Sequence, residues 1–128
     1  MDLLHEDLTE KIIKAFYKVH HTLGYGFLES VYENALWIEL TKMGIECVRQ
    51  KPIQVYYESE VVGSFYADIL VENKIILELK AVSLVDEHTF QLLNYLKATT
   101  IELVFLLSFG KTPKYARKVF SNERKNLI

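Results

Sequence analysis

Ile75-Ile76-Leu77-Glu78-Leu79-Lys80 is an apolar run that carries one acid and one base two residues apart. In a strand, alternate side chains point to opposite faces. Glu78 and Lys80 therefore share a face, and Leu77 and Leu79 take the other. A carboxylate and an ammonium in a strand of this apolarity cost several kcal/mol unless they are paired or bound to something. A second strand-like run, Ser64-Phe65-Tyr66-Ala67-Asp68-Ile69-Leu70-Val71, lies just upstream. Glu72-Asn73-Lys74 separates the two, with the polarity and length of a hairpin loop. If all three residues form the loop, Asp68 falls opposite Glu78 on the same face. A two-residue loop would shift the register and part them. Asp68, Glu78 and Lys80 are then expected to converge, and two hard carboxylates at one point suit Mg²⁺ or Mn²⁺. The bland alternative is an Asp68–Lys80 ion pair between neighbouring strands, with Glu78 solvated at the sheet edge.

Outward from this hairpin, periodicity predicts a helix over 8–23, with Ile12, Phe16, Val19 and Leu23 at helical spacing. Asp7 or Thr9 can cap it and Gly24 can end it. His20 and His21 sit near its C-terminus, where positive charge is favourable, and no third imidazole or thiol stands at metal-ligand spacing. A second helix is expected over 28–43, stopped by Gly44. Leu28, Val31, Ala35 and Ile38 form its expected buried stripe, with Glu29, Tyr32, Glu33 and Leu36 on a neighbouring face. Glu29 in the first turn has two readings. It is either a favourable charge at a helix N-terminus, worth about 0.3–1 kcal/mol, or a third acid facing Asp68 and Glu78.

Residues 45–50 read as a strand interrupted by Lys51-Pro52 and resumed over 53–57, with Glu58-Ser59-Glu60 as a turn. Residues 61–71 and 74–80 complete an antiparallel meander. A third helix is expected over 86–97, with Gln91 and Tyr95 one turn apart and His88 near its start. The null for Gln91 and Tyr95 is an ordinary surface helix. Leu103 to Phe109 is a continuous apolar run, the mark of a strand covered on both faces. It follows a helix and can pair parallel to the 74–80 strand by a crossover. Tyr115 to Phe120 reads as a closing strand, and the last eight residues as frayed. The expected fold is α/β, a central mixed β-sheet flanked by helices.

The chain has 128 residues, half of them hydrophobic and a quarter charged, so a single domain over 1–128 is expected. No apolar run reaches the roughly 20 residues of a membrane span. The acidic start lacks the basic region of a signal peptide. The lone Cys47 excludes an internal disulfide and gives no zinc pattern, so a cytoplasmic protein is expected. Net charge is −2, which argues against a strong non-specific nucleic-acid binder. The charge is uneven, however. Lys111, Lys114, Arg117, Lys118, Arg124 and Lys125 face only Glu123 in the C-terminal tail, which either meets phosphates or is a solvated end. Tyr56, Tyr57, Phe65 and Tyr66 supply aromatic surface for a core or for a homo-oligomer interface.

Two sets of residues match a known pattern. Gly26-Phe27-Leu28-Glu29-Ser30-Val31-Tyr32 is an instance of GxxExxY, and the chain resembles the GxxExxY protein family over about residues 8–120. The Asp68 strand, Glu78-Leu79-Lys80, Gln91-Leu92-Leu93-Asn94-Tyr95 and the run ending Phe109-Gly110 all belong to the resemblance. That family is placed in the PD-(D/E)XK nuclease superfamily, whose core is restriction-endonuclease-like. Asp68, Glu78 and Lys80 match the motif, with Ala67 where its name has Pro. Gln91 and Tyr95 resemble the QxxxY element of the RecB-like branch, and Glu29 is similar to a helical acid that many members place beside the metal.

The resemblance implies a Mg²⁺- or Mn²⁺-dependent nuclease that hydrolyses phosphodiester bonds of DNA or RNA. It implies Asp68, Glu78 and the Leu79 backbone carbonyl as metal ligands, with Glu29 direct or through water. Lys80 would orient or help deprotonate the attacking water, and Gln91 and Tyr95 would hold a phosphate or Lys80. His88 reads as a surface residue or a substrate contact. The competing reading is an inactive nuclease fold that serves as a binding module, with itself or with a partner protein. A purely structural domain is a third reading, against which the acid on each strand of the hairpin counts.

Overall fold

A computed structural model describes residues 4–83, 94 and 96–125. The elements run α1 (Glu6–Leu23), α2 (Glu29–Lys42), β1 (Cys47–Tyr57), β2 (Glu60–Val71), β3 (Ile75–Lys80), β4 (Leu103–Ser108) and β5 (Lys114–Val119), then a 3-10 turn at Asn122–Arg124. The strands form one mixed sheet in the order β1-β2-β3-β4-β5. Only β3 and β4 are parallel, paired from Ile75↔Leu103 to Lys80↔Ser108. An α/β fold with a mixed sheet is what the sequence predicts. Most of the expected third helix, with His88, Gln91 and Tyr95, lies outside the described residues. Asn94, Leu96 and Lys97 at its end are helical.

Strand alternation explains the two cores. Ile69, Val71, Ile75, Leu77, Leu79, Leu103, Phe105 and Leu107 pack against α1 and α2. Leu70, Ile76, Val104 and Leu106 point the other way and meet Leu96, Ile101 and Ala67. Burial of each large apolar side chain contributes about 1.5–3 kcal/mol, so β3 and β4, buried on both faces, anchor the sheet.

The helices depart from expectation in instructive ways. α1 begins at His5, in the left-handed region at φ 55, with no side-chain cap. Thr9 caps nothing and donates instead to the Glu6 carbonyl. In α2 the buried residues are Tyr32, Leu36 and Leu40, not the expected stripe. Leu28 is 76% exposed and Ile38 47%. Apolar residues lie all around this helix, so periodicity alone cannot choose its inner face. Packing chooses instead: Tyr32 stacks on Phe109, with centroids 4.4 Å apart.

β1 is continuous through Pro52, which pairs with Tyr66. As an edge strand it tolerates the missing N–H. The irregularity sits at Gln50, at φ 52, and again between Val55 and Tyr56. The tail is anchored through Lys125 rather than frayed. Asn122 N–H donates to Glu102, the Asn122 side chain to the Thr100 carbonyl, and Lys125 Nζ to the carbonyls of Thr99 and Ile101. Among the described residues no helix is long and apolar enough to cross a membrane.

Candidate functional site

The hairpin between β2 and β3 decides which side chains meet. Val71 pairs with Ile75, leaving Glu72-Asn73-Lys74 as the loop. Glu72 and Asn73 are both left-handed, at φ 53 and 56. Asn tolerates that region and Glu does not. Glu72 is held there from both sides: its N–H donates to the Glu46 carbonyl and its carboxylate accepts from the Glu46 N–H. The register Ile69↔Leu77, carried one step on, sets Asp68 opposite Glu78. This is the three-residue register that the sequence predicts.

Asp68 is half-buried, and its Oδ2 accepts the Leu79 backbone N–H at 2.8 Å. Glu78 is 8% exposed. Burial pushes its carboxyl up to about 9, and the charge of Asp68 adds to the effect. At neutral pH Glu78 is therefore a carboxylic acid, hydrogen-bonded to Asp68. Its Oε1 is buried with no hydrogen-bond partner. Burial raises Asp68 as well, against the bond from Leu79. Lys80 ends β3 on the same alternation as Glu78 and is partly buried. The described residues include no Asp68–Lys80 salt bridge, and Glu78 is not solvated, so the ion-pair alternative does not describe this hairpin.

An unsatisfied buried carboxyl oxygen beside a second acidic side chain is an arrangement that a divalent cation relieves, once it displaces the proton. Both groups are hard oxygen donors, so the residues present fit Mg²⁺ or Mn²⁺. Among the described residues no three His, Cys, Asp or Glu side chains form a ready cluster for a metal ion. Backbone oxygen, water or substrate would have to complete the shell.

Glu29 is exposed in the first turn of α2, without a hydrogen bond or ion pair among the described residues. The α2 acid whose charge bears on Asp68 is Glu33, one turn further on. Glu33 Oε2 accepts from Arg49 Nε and Nη2 at 3.2 and 3.0 Å, and Oε1 from Gln50 Nε2 at 2.8 Å. Gln50 also hydrogen-bonds Asp68. The left-handed backbone of Gln50 thus places an amide between two acids. Sequence reasoning did not single out Gln50 or assign Glu33 a role. The i, i+4 spacing of Glu29 and Glu33 on one face was the available signal for the latter.

The rest of the Gly26–Tyr32 stretch is structural. Gly26 sits at φ 105, a region that side chains resist. The buried Tyr32 hydroxyl donates to the Gly24 carbonyl at 2.8 Å and accepts from Phe27 N–H. His20 Nε2 lies 2.7 Å from the Gly110 carbonyl, which can only accept, so that nitrogen carries the proton. These contacts pin the α1–α2 loop to the end of β4, near the strand ends that carry Glu78 and Lys80.

No curated protein and no solved structure matches this chain to a significant degree. The sequence model of the PD-(D/E)XK nuclease superfamily matches residues 6–119. With a mixed sheet of the matching kind and a match over most of its length, the chain belongs to the PD-(D/E)XK nuclease superfamily.

Proposed function

We propose that this protein is a metal-dependent nuclease that hydrolyses phosphodiester bonds of DNA or RNA, with Asp68, Glu78 and Lys80 as its catalytic residues. The observation that carries the reading is the buried, partnerless Oε1 of Glu78 set against Asp68. Native folds rarely leave such a group unsatisfied without a use for it.

Asp68, Glu78 and the Leu79 carbonyl would hold Mg²⁺ or Mn²⁺, with Glu29 contributing through water. When bound, the cation supplies Lewis-acid polarisation of the phosphate and lowers the pKa of water. The chain does the rest. The Leu79 N–H and Gln50 fix the rotamer of Asp68. Glu78 would release its proton to solvent in order to serve as a ligand. Lys80, on the alternation of Glu78, would orient the attacking water and offset charge on the phosphate oxygens. Gln91 and Tyr95 hold the phosphate or Lys80 in this reading. That role, like the GxxExxY and RecB-like affinities, comes from the resemblance of the motifs.

A second reading, a binding module without catalysis, has one observation in its favour. Past Ile69–Val71, β2 pairs with β1 alone, and this ribbon exposes Tyr57, Val61, Val62 and Tyr66. Such a surface suits a partner protein or a second copy.

Isothermal titration of Mg²⁺ and Mn²⁺ into the wild type and into Asp68→Ala/Glu78→Ala separates the readings. The expected result is binding by the wild type alone, followed by cleavage in a Mn²⁺ nuclease screen. Equal binding by both proteins would place the metal elsewhere, and a wild type that neither binds metal nor cleaves would leave the binding-module reading.

A further inference from the structure

Register extends the site across the sheet. Lys80 pairs with Ser108, and Ser108 with Lys114, so the three stand level on β3, β4 and β5. Ile76, Val104, Leu106 and Ala116 share their alternation and pack on one side of the sheet. Ser108 and Lys114 therefore lie on the face of Glu78 and Lys80. From β3 to β5 is two strand spacings, about 10 Å.

At that end of the sheet is a cleft of about 290 Å³ lined by Ser83, Ser108, Lys111, Thr112 and Lys114. It lies at the small end of the range for ligand pockets, roughly 300–1,000 Å³. It sits beyond the carboxyl ends of the parallel pair β3–β4, where open α/β sheets commonly bind their ligands. Gly110 shapes it. A Cβ there would come within 3.1 Å of the Ser83 backbone nitrogen, so any larger residue would push the chain after β3 back from the end of β4 by a few tenths of an ångström. Ser108 ties the same two segments, donating to the Val82 carbonyl at 2.8 Å and accepting from Gly110 N–H.

Among the described residues the lining has one chemistry: two ammonium groups and three hydroxyls, with no acid. Among the described residues neither Lys111 nor Lys114 is paired with a carboxylate. The last two cations of the basic tail are differently employed. Lys125 is bonded to two carbonyls, and Arg124 lies over the Phe120 ring at 4.6 Å. Two unpaired cations around one small hydroxyl-lined cleft repel each other unless an anion lies between them.

We propose that this cleft is a phosphate subsite, which holds the backbone of a nucleic-acid strand running across the ends of β3, β4 and β5 away from Asp68 and Glu78. The assignment of the anion to a nucleic acid rests on the nuclease reading; the cleft and its charge do not.

The test is fluorescence anisotropy with a labelled single-stranded 12-mer, as DNA and as RNA, in EDTA over a range of salt. Lys111→Ala/Lys114→Ala is compared with the wild type and with Lys11→Ala/Lys14→Ala, an equal charge loss on exposed positions of α1. Loss of two single-strand phosphate contacts reduces the slope of log affinity against log salt by about 1.4, and affinity at low salt falls about tenfold or more. The control keeps the wild-type slope. An unchanged slope in Lys111→Ala/Lys114→Ala, an equal change in the control, or a wild type that binds neither oligonucleotide each overturns the subsite. The DNA and RNA arms show which polymer it takes. Because EDTA removes the metal, a positive result beside a wild type that neither binds Mg²⁺ nor cleaves would sink the nuclease reading and keep the subsite. The reverse pattern would do the opposite.

Discussion

Glu33 and Glu78 are both glutamates set beside Asp68, and the fold treats them in opposite ways. Glu33 is saturated: both oxygens are taken, by Arg49 twice and by Gln50 once. Glu78 is more deeply enclosed, and one oxygen has no partner at all. An acid that serves the fold is supplied with donors, because leaving it bare costs about 1–3 kcal/mol or more. An acid kept bare in the interior destabilises the chain on its own and calls for another explanation, which the proposed function supplies as a cation. On that proposal, the contrast separates a structural carboxylate from a functional one at a single site.

The largest effect should come from Glu78→Gln. It is expected to abolish metal binding while stabilising the metal-free protein at alkaline pH. The sign follows from linkage. The folded-state carboxyl lies at about 9 against an ordinary 4.5, so between those values the folded form holds a proton that the unfolded form has released. The wild-type contribution therefore falls as pH rises through that window, by at most about 1.4 kcal/mol per pH unit. Glu78→Gln removes this slope. Metal uptake must expel the same proton, so Mg²⁺ affinity should climb with pH up to about 9. Melting curves in EDTA from pH 5 to 9 check the first claim. A wild type that gains stability over the variant with rising pH would break it.

The hairpin behind this effect was readable in advance. Strand parity is two, so the length of Glu72-Asn73-Lys74 fixes whether Asp68 meets Glu78, and the cost of burying charge singles out both acids and Lys80. What could not be read was set by contacts distant in sequence. The inner face of α2 follows from the stacking of Tyr32 on Phe109, which no local pattern contains. The residue types suggest a break in β1 at Lys51-Pro52, yet the strand runs on unbroken there. The local departure is the left-handed backbone of Gln50, whose side chain bonds Glu33 and Asp68. Glu33 was legible as a face-mate of Glu29, but its link to Asp68 runs through the side chain of Gln50.

Glu33→Gln should behave in the reverse sense to Glu78→Gln. It takes the charged partner from Arg49, whose guanidinium is otherwise engaged, among the described residues, by Asn34 and by the face of Trp37 at 5.7 Å. A loss of about 1–3 kcal/mol in stability is expected, with metal affinity retained within about tenfold. Urea midpoints and metal titrations on the same preparations read both. If Glu33→Gln abolished metal binding and left stability unchanged, the distinction between the two glutamates would collapse.

The smallest effect is expected from Glu29→Ala, and it sharpens the comparison by asking how far the site extends along α2. Glu29 stands one turn before Glu33, exposed, with no partner among the described residues. As a helix N-terminal charge it contributes about 0.3–1 kcal/mol, and its removal should cost no more. As a water-mediated neighbour of the cation it should change Mg²⁺ affinity by less than about threefold, below the 10–100-fold that loss of a tightly held outer-shell partner brings. A tenfold or greater loss of Mg²⁺ affinity with unchanged stability would make Glu29 a direct ligand. Such a result would set Glu29 beside Glu33, whose charge already bears on Asp68, and would extend the site by a full turn of α2.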